Sequence, residues 1–151
     1  MVKYVEYLLG ENAKKPFKKY DGDAGWDLFV SRPCFIPPGR TMDIHTDLRI
    51  NMPSRMYARI VGRSSTLRNH HLLVNEAIID NGYTGEMFIC VHNLGDQGFQ
   101  VQPGMRLAQI IFGTIEDVRW VGDSIETQTH FLEIENKPKK RKNNGFGSTG
   151  V

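Results

Sequence analysis

The stretch Thr41-Met42-Asp43-Ile44-His45-Thr46-Asp47-Leu48-Arg49-Ile50-Asn51-Met52 alternates apolar and polar side chains with a period of two. Met42, Ile44, Leu48, Ile50 and Met52 share one face, while Asp43, His45, Asp47, Arg49 and Asn51 share the other. That is the pattern of a half-buried strand pair or one long strand. The same alternation recurs outward from it. Arg55 to Val61 puts Met56, Ala58 and Ile60 on one side, and Glu86 to His92 alternates Met87, Ile89 and Val91. Arg106 to Phe112 is apolar enough to be covered on both faces. Turn signals separate these runs: Pro37-Pro38-Gly39, Asn81-Gly82, Leu94-Gly95-Asp96 and Gln102-Pro103-Gly104 supply the restricted or positive φ angles that reversals need. No long stretch keeps helical spacing. The one short helix expected starts near Ser64 or Ser65, where a hydroxyl can cap Thr66 to His70. Several short strands with turns between them predict an all-β sandwich, jelly roll or barrel.

Composition agrees with one soluble domain. Of 151 residues, 40% are hydrophobic and 24% charged, with a net charge of +2, which argues against a disordered, fibrous or globally basic nucleic-acid-binding chain. No apolar run approaches the roughly 20 residues that span a bilayer, and Glu6 and Gly10 break the N-terminal apolar stretch, so no signal peptide is expected. An intracellular protein is expected, cytoplasmic or, for a viral or eukaryotic chain, in the nucleus or host-cell interior, with no membrane or nucleic-acid partner. Cys34 and Cys90 stand in no metal or disulfide spacing and are expected as two buried thiols. Composition shifts after Asn136: Lys137 to Lys142 read KPKKRK, followed by NNGFGSTGV. The rigid domain is therefore placed at residues 1–136 and a flexible arm at 137–151.

Five segments combine glycine with polar or charged residues. Ala24-Gly25-Trp26-Asp27-Leu28 sets an acid at the start of a strand, and Gly62-Arg63-Ser64-Ser65 brings an arginine and two hydroxyls to a helix start, suited to an oxyanion. Ala77 to Glu86 reads as an apolar strand entering a tight Asn-Gly turn, a β-hairpin with Asp80 at its shoulder. Gly104-Met105-Arg106-Leu107-Ala108-Gln109 places an amide in an apolar strand, where it needs hydrogen-bond partners. Arg141 to Gly150 sets Phe146 between glycines ahead of two hydroxyls, and its backbone N–H groups could wrap a phosphate. Taken singly, each has a plainer reading as a turn, a cap, an Asx residue, a core amide and a disordered tail.

In this order and spacing the five resemble the motifs of the trimeric deoxyuridine triphosphate nucleotidohydrolases, the dUTPases, from about Ala24 to Gly150. The terminal R-x-x-x-G-F-G-S-T-G and the D-x-x-Y-x-G of Asp80, Tyr83 and Gly85 are complete. The family usually has glycine where Ala77 stands and often where Ser65 stands; Ala77 adds a methyl to the pocket wall. The resemblance implies a distorted jelly roll or β-barrel with one short helix and a flexible arm. It also implies a homotrimer with sites between subunits that hydrolyses dUTP to dUMP and pyrophosphate, keeping uracil out of DNA and supplying dUMP for dTMP synthesis. By the same resemblance Asp80 is the general base, Tyr83 lies under the deoxyribose, and uracil is read around Ala77 and Phe88. Arg63, Ser64, Ser65 and Gln109 hold the triphosphate. Mg²⁺ rides mainly on the phosphates, with Asp27 reaching its waters. Arg141, Phe146, Gly147, Ser148 and Thr149 close the site.

dCTP deaminase shares this fold, and Ser64 and Arg68 match its S-x-x-x-R spacing, but its glutamate ten residues beyond the hairpin acid is Cys90 here. The basic run at 137–142 also allows a nucleic-acid or localisation patch, against which the complete tail motif counts. No sequence feature assigns a regulatory protein partner. His70 and His71 are expected at the surface, and Trp26 and Trp120 in the core or an interface.

Overall fold

The computed structural model describes residues 1–122; the expected domain border at 136 and the arm motif lie outside the described residues. The first compact unit runs from Met1 to Glu116. It contains eleven strands and one helix: β1 (Glu6–Leu9), β2 (Trp26–Leu28), β3 (Cys34–Ile36), β4 (Thr41–Ile44), β5 (Leu48–Asn51), β6 (Met56–Gly62), α1 (Ser64–His70), β7 (Leu72–Val74), β8 (Ala77–Ile79), β9 (Ile89–Asn93), β10 (Phe99–Val101) and β11 (Ala108–Thr114). All described pairings are antiparallel.

The strands form four open sheets rather than a closed barrel. β2-β11-β6-β8 make the largest, β4-β9-β7 the second, and β1-β5 and β3-β10 are two-stranded. One apolar cluster joins the two larger sheets: Leu28, Ala58, Ile60, Ala108 and Ile110 from the first meet Ile44, Leu72, Ile89 and Val91 from the second. Each is essentially sealed from water. A fully buried aliphatic side chain contributes about 1.5–3 kcal/mol of transfer free energy, so this cluster is what ties strands distant in sequence into one unit.

Period-two faces emerge as expected. In β6, Met56, Ala58 and Ile60 are buried, and in β9 so are Ile89 and Val91, with Met87 just ahead of it. The 41–52 stretch is two strands, but they do not pair with each other; β4 pairs with β9 and β5 with β1. Residues 45–47 form the crossing between sheets. Gly39, Gly82 and Gly104 have φ of 72°, 89° and 88° at three of the expected reversals.

Four expectations are corrected. The Ala77–Glu86 segment is not a ladder hairpin: β8 pairs with β6, and the chain after Gly82 crosses to the other sheet to reach β9. The Asn-Gly turn is therefore a corner, and Asn81 Nδ2 anchors it by donating to the carbonyls of Pro53 (2.8 Å) and Met56 (3.0 Å). Secondly, α1 has Arg63 at its N-cap and no side-chain cap bond. Its only buried residue, Thr66, instead donates its hydroxyl to the Leu107 carbonyl at 2.7 Å. Thirdly, Cys34 and Cys90 are free thiols, but only half-buried. Lastly, Trp26 is 37% and Trp120 99% exposed in the single chain, which removes the core from their core-or-interface expectation and leaves the interface. His70 and His71 are exposed, as expected. Among the described residues no helix is long and apolar enough to cross a membrane.

Candidate active site

β11 is the middle strand from which the site is built. Gln109 lies opposite Asp27 of β2 on one side and Val61 of β6 on the other. Three sequence motifs thus meet because one strand pairs with two others. The approach is close: Gly25 is buried, and a methyl there would run into the Gln109 amide. Glycine there leaves the Gln109 amide its present place beside the start of β2. Gln109 Nε2 donates to the Gly62 carbonyl at 3.3 Å, which satisfies its amide N–H.

β6 then delivers Arg63 beside Asp27. Arg63 Nε is 2.9 Å from Asp27 Oδ1, and Arg106 Nη1 donates to Oδ2 at 3.1 Å. Arg63 Nη1 also donates to the Arg106 carbonyl at 3.0 Å. One half-buried carboxylate therefore holds two guanidiniums in fixed positions. Around them opens a cavity of about 490 Å³, lined also by Ser64 and Gln109 and by the loop lysines Lys18 and Lys19. Four cations, Lys18, Lys19, Arg63 and Arg106, face two acids, Asp23 and Asp27. Such an excess, with donors brought in from several loops and from β11, suits a polyanion. Ser64 is exposed at the start of α1 and Ser65 is half-buried.

Arg106, Lys18 and Lys19 were not singled out as site residues from the sequence. Arg106 stands inside the motif that carries Gln109, and its neighbourhood was the available signal. The lysine pair carries none, because nothing local distinguishes it from a solvated charge run.

Asp27 was expected to reach the waters of a metal. Each of its oxygens pairs with one guanidinium, and the other acid lining the cavity, Asp23, accepts the Tyr20 N–H at 3.0 Å. This donor set does not hold a divalent ion by itself. It fits one that arrives already bound to phosphates.

The remaining candidates gather elsewhere. Ala77 is half-buried opposite Ile60, and Ile79 pairs with Ala58. Asp80 follows at the exposed corner, where its carbonyl accepts the Tyr83 N–H at 3.2 Å. Tyr83 is 45% exposed and donates its hydroxyl to the Glu86 carbonyl at 3.2 Å. A methyl at Gly85 would collide with that phenol. Phe88 is 36% exposed, with the His45 ring edge-on at 5.0 Å between centroids. Ladder register puts Asp80 past Ala58 and Ser64 past Gly62, so about six residues of β6, roughly 20 Å of extended chain, separate their levels. A single chain does not bring Asp80 to Ser64 and Gln109. Arg141, Phe146, Gly147, Ser148 and Thr149 lie outside the described residues.

The family model described as dUTPase matches residues 11–150. The deoxyuridine 5'-triphosphate nucleotidohydrolase of Clostridium novyi (strain NT) is 36% identical, over 99% of this chain and 100% of its own length. Among solved structures, the Staphylococcus bacteriophage 80alpha dUTPase with dUPNHPP superimposes with a TM-score of 0.81 at 22% identity, covering 98% of this chain and 99% of that one. A mutant dUTPase from phage phi11 of S. aureus, described for its coordination of a structural Mg(II) ion, matches with a TM-score of 0.74 at 22% identity, over 80% and 97% of the two chains. The structural likenesses carry the jelly-roll fold, and the family and sequence matches span nearly the whole chain. By these matches and by the order of its motifs, the chain belongs to the dUTPase family.

Proposed function

We propose that the protein hydrolyses dUTP to dUMP and pyrophosphate, with the nucleotide lying between subunits of a homotrimer. The observation that carries this reading is the cationic cavity, in which Asp27 cross-braces Arg63 and Arg106 beside Gln109. Its charge and size suit a triphosphate. Arg63, Arg106, Ser64, the backbone at Ser65 and the Gln109 amide hold the phosphate oxygens and stabilise the charge that develops there, the dominant contribution in phosphoryl transfer. A divalent ion, Mg²⁺ on this reading, would be held mainly by the substrate's phosphate oxygens and would shield their charge. A hard cation that keeps several waters suits that arrangement, and Asp27 keeps lone pairs for one of those waters.

Asp80, exposed at its corner, is the general base. It takes a proton from water as the water oxygen attacks the α-phosphorus. The bond from that phosphorus to the oxygen bridging the α- and β-phosphates breaks, and pyrophosphate leaves with that oxygen. Tyr83 packs under the deoxyribose and leaves no room for a 2′-hydroxyl. Ala77 and Phe88 flank the uracil. Because Asp80 and Ser64 sit at opposite ends of β6, the base-bearing corner of one subunit serves the phosphate cavity of another. An exposed apolar groove of about 410 Å³, lined in part by Tyr7, Trp26, Ile110 and Phe112, supports association, since exposed apolar surface of this kind marks interfaces.

The arm completes the site: Phe146 stacks on uracil, while Arg141, Gly147, Ser148 and Thr149 contact the phosphates and exclude water. Cys90 stands where a deaminase would carry its glutamate. Burial, and next the Asp43 carboxylate, push this thiol's pKa up, so it stays neutral and supplies no carboxylate-like base. An intracellular enzyme of nucleotide metabolism follows, removing dUTP from the precursors of DNA and supplying dUMP for dTMP synthesis.

The test is pyrophosphate release from dUTP, UTP, dTTP and dCTP in Mg²⁺, with ammonia followed for dCTP. Only dUTP should turn over rapidly, and removing residues 141–151 should cut kcat/KM severely without changing assembly state. Equal rates for dUTP and UTP would remove the role of Tyr83, and ammonia from dCTP would replace hydrolysis by deamination.

A further inference from the structure

Between Ile79 of β8 and the buried Met87, the chain that carries Asp80 and Tyr83 has few fixed points. One is Asn81; the other is the crossing loop 45–47 between β4 and β5. His45 Nδ1 lies 3.0 Å from Glu86 Oε1, and the Asp47 N–H donates to the same oxygen at 3.0 Å. The Thr46 hydroxyl donates to the Met87 carbonyl, and the Met87 N–H donates to the Leu48 carbonyl at 2.8 Å. Four successive residues thus grip positions 86 and 87. Two further contacts pass this grip onward: the Tyr83 hydroxyl rests on the Glu86 carbonyl, and the His45 ring meets the edge of Phe88.

Asp47 is built for this arrangement. Its φ is 51°, a left-handed conformation that aspartate tolerates better than most residues. Its carboxylate is held at both oxygens by Arg32, Nε to Oδ2 at 3.0 Å and Nη2 to Oδ1 at 2.5 Å. His45, Asp47 and Glu86 offer ligand atoms within 4.8 Å of one another, but Arg32 already neutralises Asp47 in a bidentate pair, and a metal there would face a guanidinium. The cluster is a brace rather than an ion site.

We propose that loop 45–47, acting through the Glu86 carboxylate, is the positioning clamp that fixes Tyr83 and Phe88, and so sets the discrimination between deoxyuridine and uridine nucleotides. This rests on the reading that Tyr83 and Phe88 meet sugar and base. His45, Asp47 and Glu86 are positioning residues. An exposed ring excludes one added oxygen only while it is held, and a small outward shift of Tyr83 opens that space.

The experiment measures kcat and KM for dUTP and UTP on the full chain, beside thermal unfolding, for Glu86→Ala, Glu86→Gln, His45→Ala and Glu6→Ala. Glu6 makes a comparable surface hydrogen bond, from Asn51 Nδ2 at 2.8 Å, away from the clamp. Glu86→Ala should raise KM for dUTP and lower the dUTP to UTP ratio of kcat/KM by about tenfold, within what a misplacement of up to 1 Å costs. His45→Ala should move the ratio the same way by less. Glu86→Gln keeps an oxygen for the Asp47 N–H and should recover part of the loss, while Glu6→Ala should leave the ratio alone. A wild-type ratio in folded Glu86→Ala overturns the proposal. If that variant does not fold, wild-type ratios in both Glu86→Gln and His45→Ala overturn it instead, as does an equal fall in Glu6→Ala. Failure of the unmodified protein to turn over dUTP overturns the functional reading itself, and the clamp with it.

Discussion

At the Gly62 end of β6, side chains from two strands and two connecting segments are tied together: Asp27 of β2 holds Arg63 and Arg106, and Gln109 of β11 closes on the Gly62 carbonyl. At the other end, beyond β8, Asp80 and Tyr83 stand on an exposed corner whose fixed points are backbone contacts, Asn81 and the Glu86 grip. The first region is preorganised for a polyanion, where fixed donors cost no rearrangement when charge develops. The second presents a carboxylate and an aromatic ring outward, where the proposed trimer would supply their partners from another subunit. On the proposed reading, one fold carries a binding half and a reacting half, separated by the length of a strand.

The sharpest way to break this comparison is Asp80→Asn. Turnover of dUTP should fall by about 10²–10⁴-fold, the usual worth of a general base, with KM little changed; pyrophosphate release decides it, and a fall confined to KM would move Asp80 into the binding half. Arg63→Ala should do the opposite, raising KM by roughly tenfold to a hundredfold, as expected for a lost charged hydrogen bond of about 1.5–3 kcal/mol. Substrate titration at saturating Mg²⁺ separates the two patterns.

Gly25→Ala tests the packing beneath the cavity. The added methyl would displace Gln109, and overpacking of this kind costs about 1–3 kcal/mol, to be read as a lower thermal midpoint together with weaker substrate binding. A smaller effect belongs to the brace near the reacting half. The hydrogen bonds and charge of Arg32 hold the Asp47 carboxyl below its ordinary value. A group whose folded pKa is lowered stabilises the fold above its unfolded pKa and loses that contribution as pH falls through the lowered value. Stability should therefore decline below about pH 4, the ordinary range of aspartate. Asp47→Asn should flatten part of that decline, measured by urea unfolding across acidic pH; an unchanged slope would remove Asp47 from the acid response.

How much was legible in advance differs between the two halves. The motifs mark Asp27, Arg63, Ser64 and Gln109, and the structure gathers all four around one cavity. Arg106 stands within its motif without a mark of its role, because alternation places a side chain on a face without naming the anion it meets. The motifs mark Asp80 and Tyr83 as well, but the hairpin their Asn-Gly turn predicts does not form. An Asn-Gly turn reports a reversal of direction, and whether the returning strand pairs with the one it left depends on which edges are free. Here the exposed edge of β6 takes β8, while β9 is held between β4 and β7. The missing hydroxyl cap has a related cause: the ion pair with Asp27 fixes Arg63 ahead of the helix, leaving Ser64 exposed in its first turn.

The sequence by itself determined the strand faces, the places where the chain turns and the chemical groups available, because period-two alternation, turn geometry and side-chain chemistry are local properties. Only the tertiary structure decided which strands became neighbours. That choice put Asp27, Gln109 and Gly62 across adjacent ladders, separated Asp80 from Ser64 by the run of β6, and set Glu86 against loop 45–47. Pairing is selected by burial of one shared core between distant segments, and no local pattern in the chain encodes the partner.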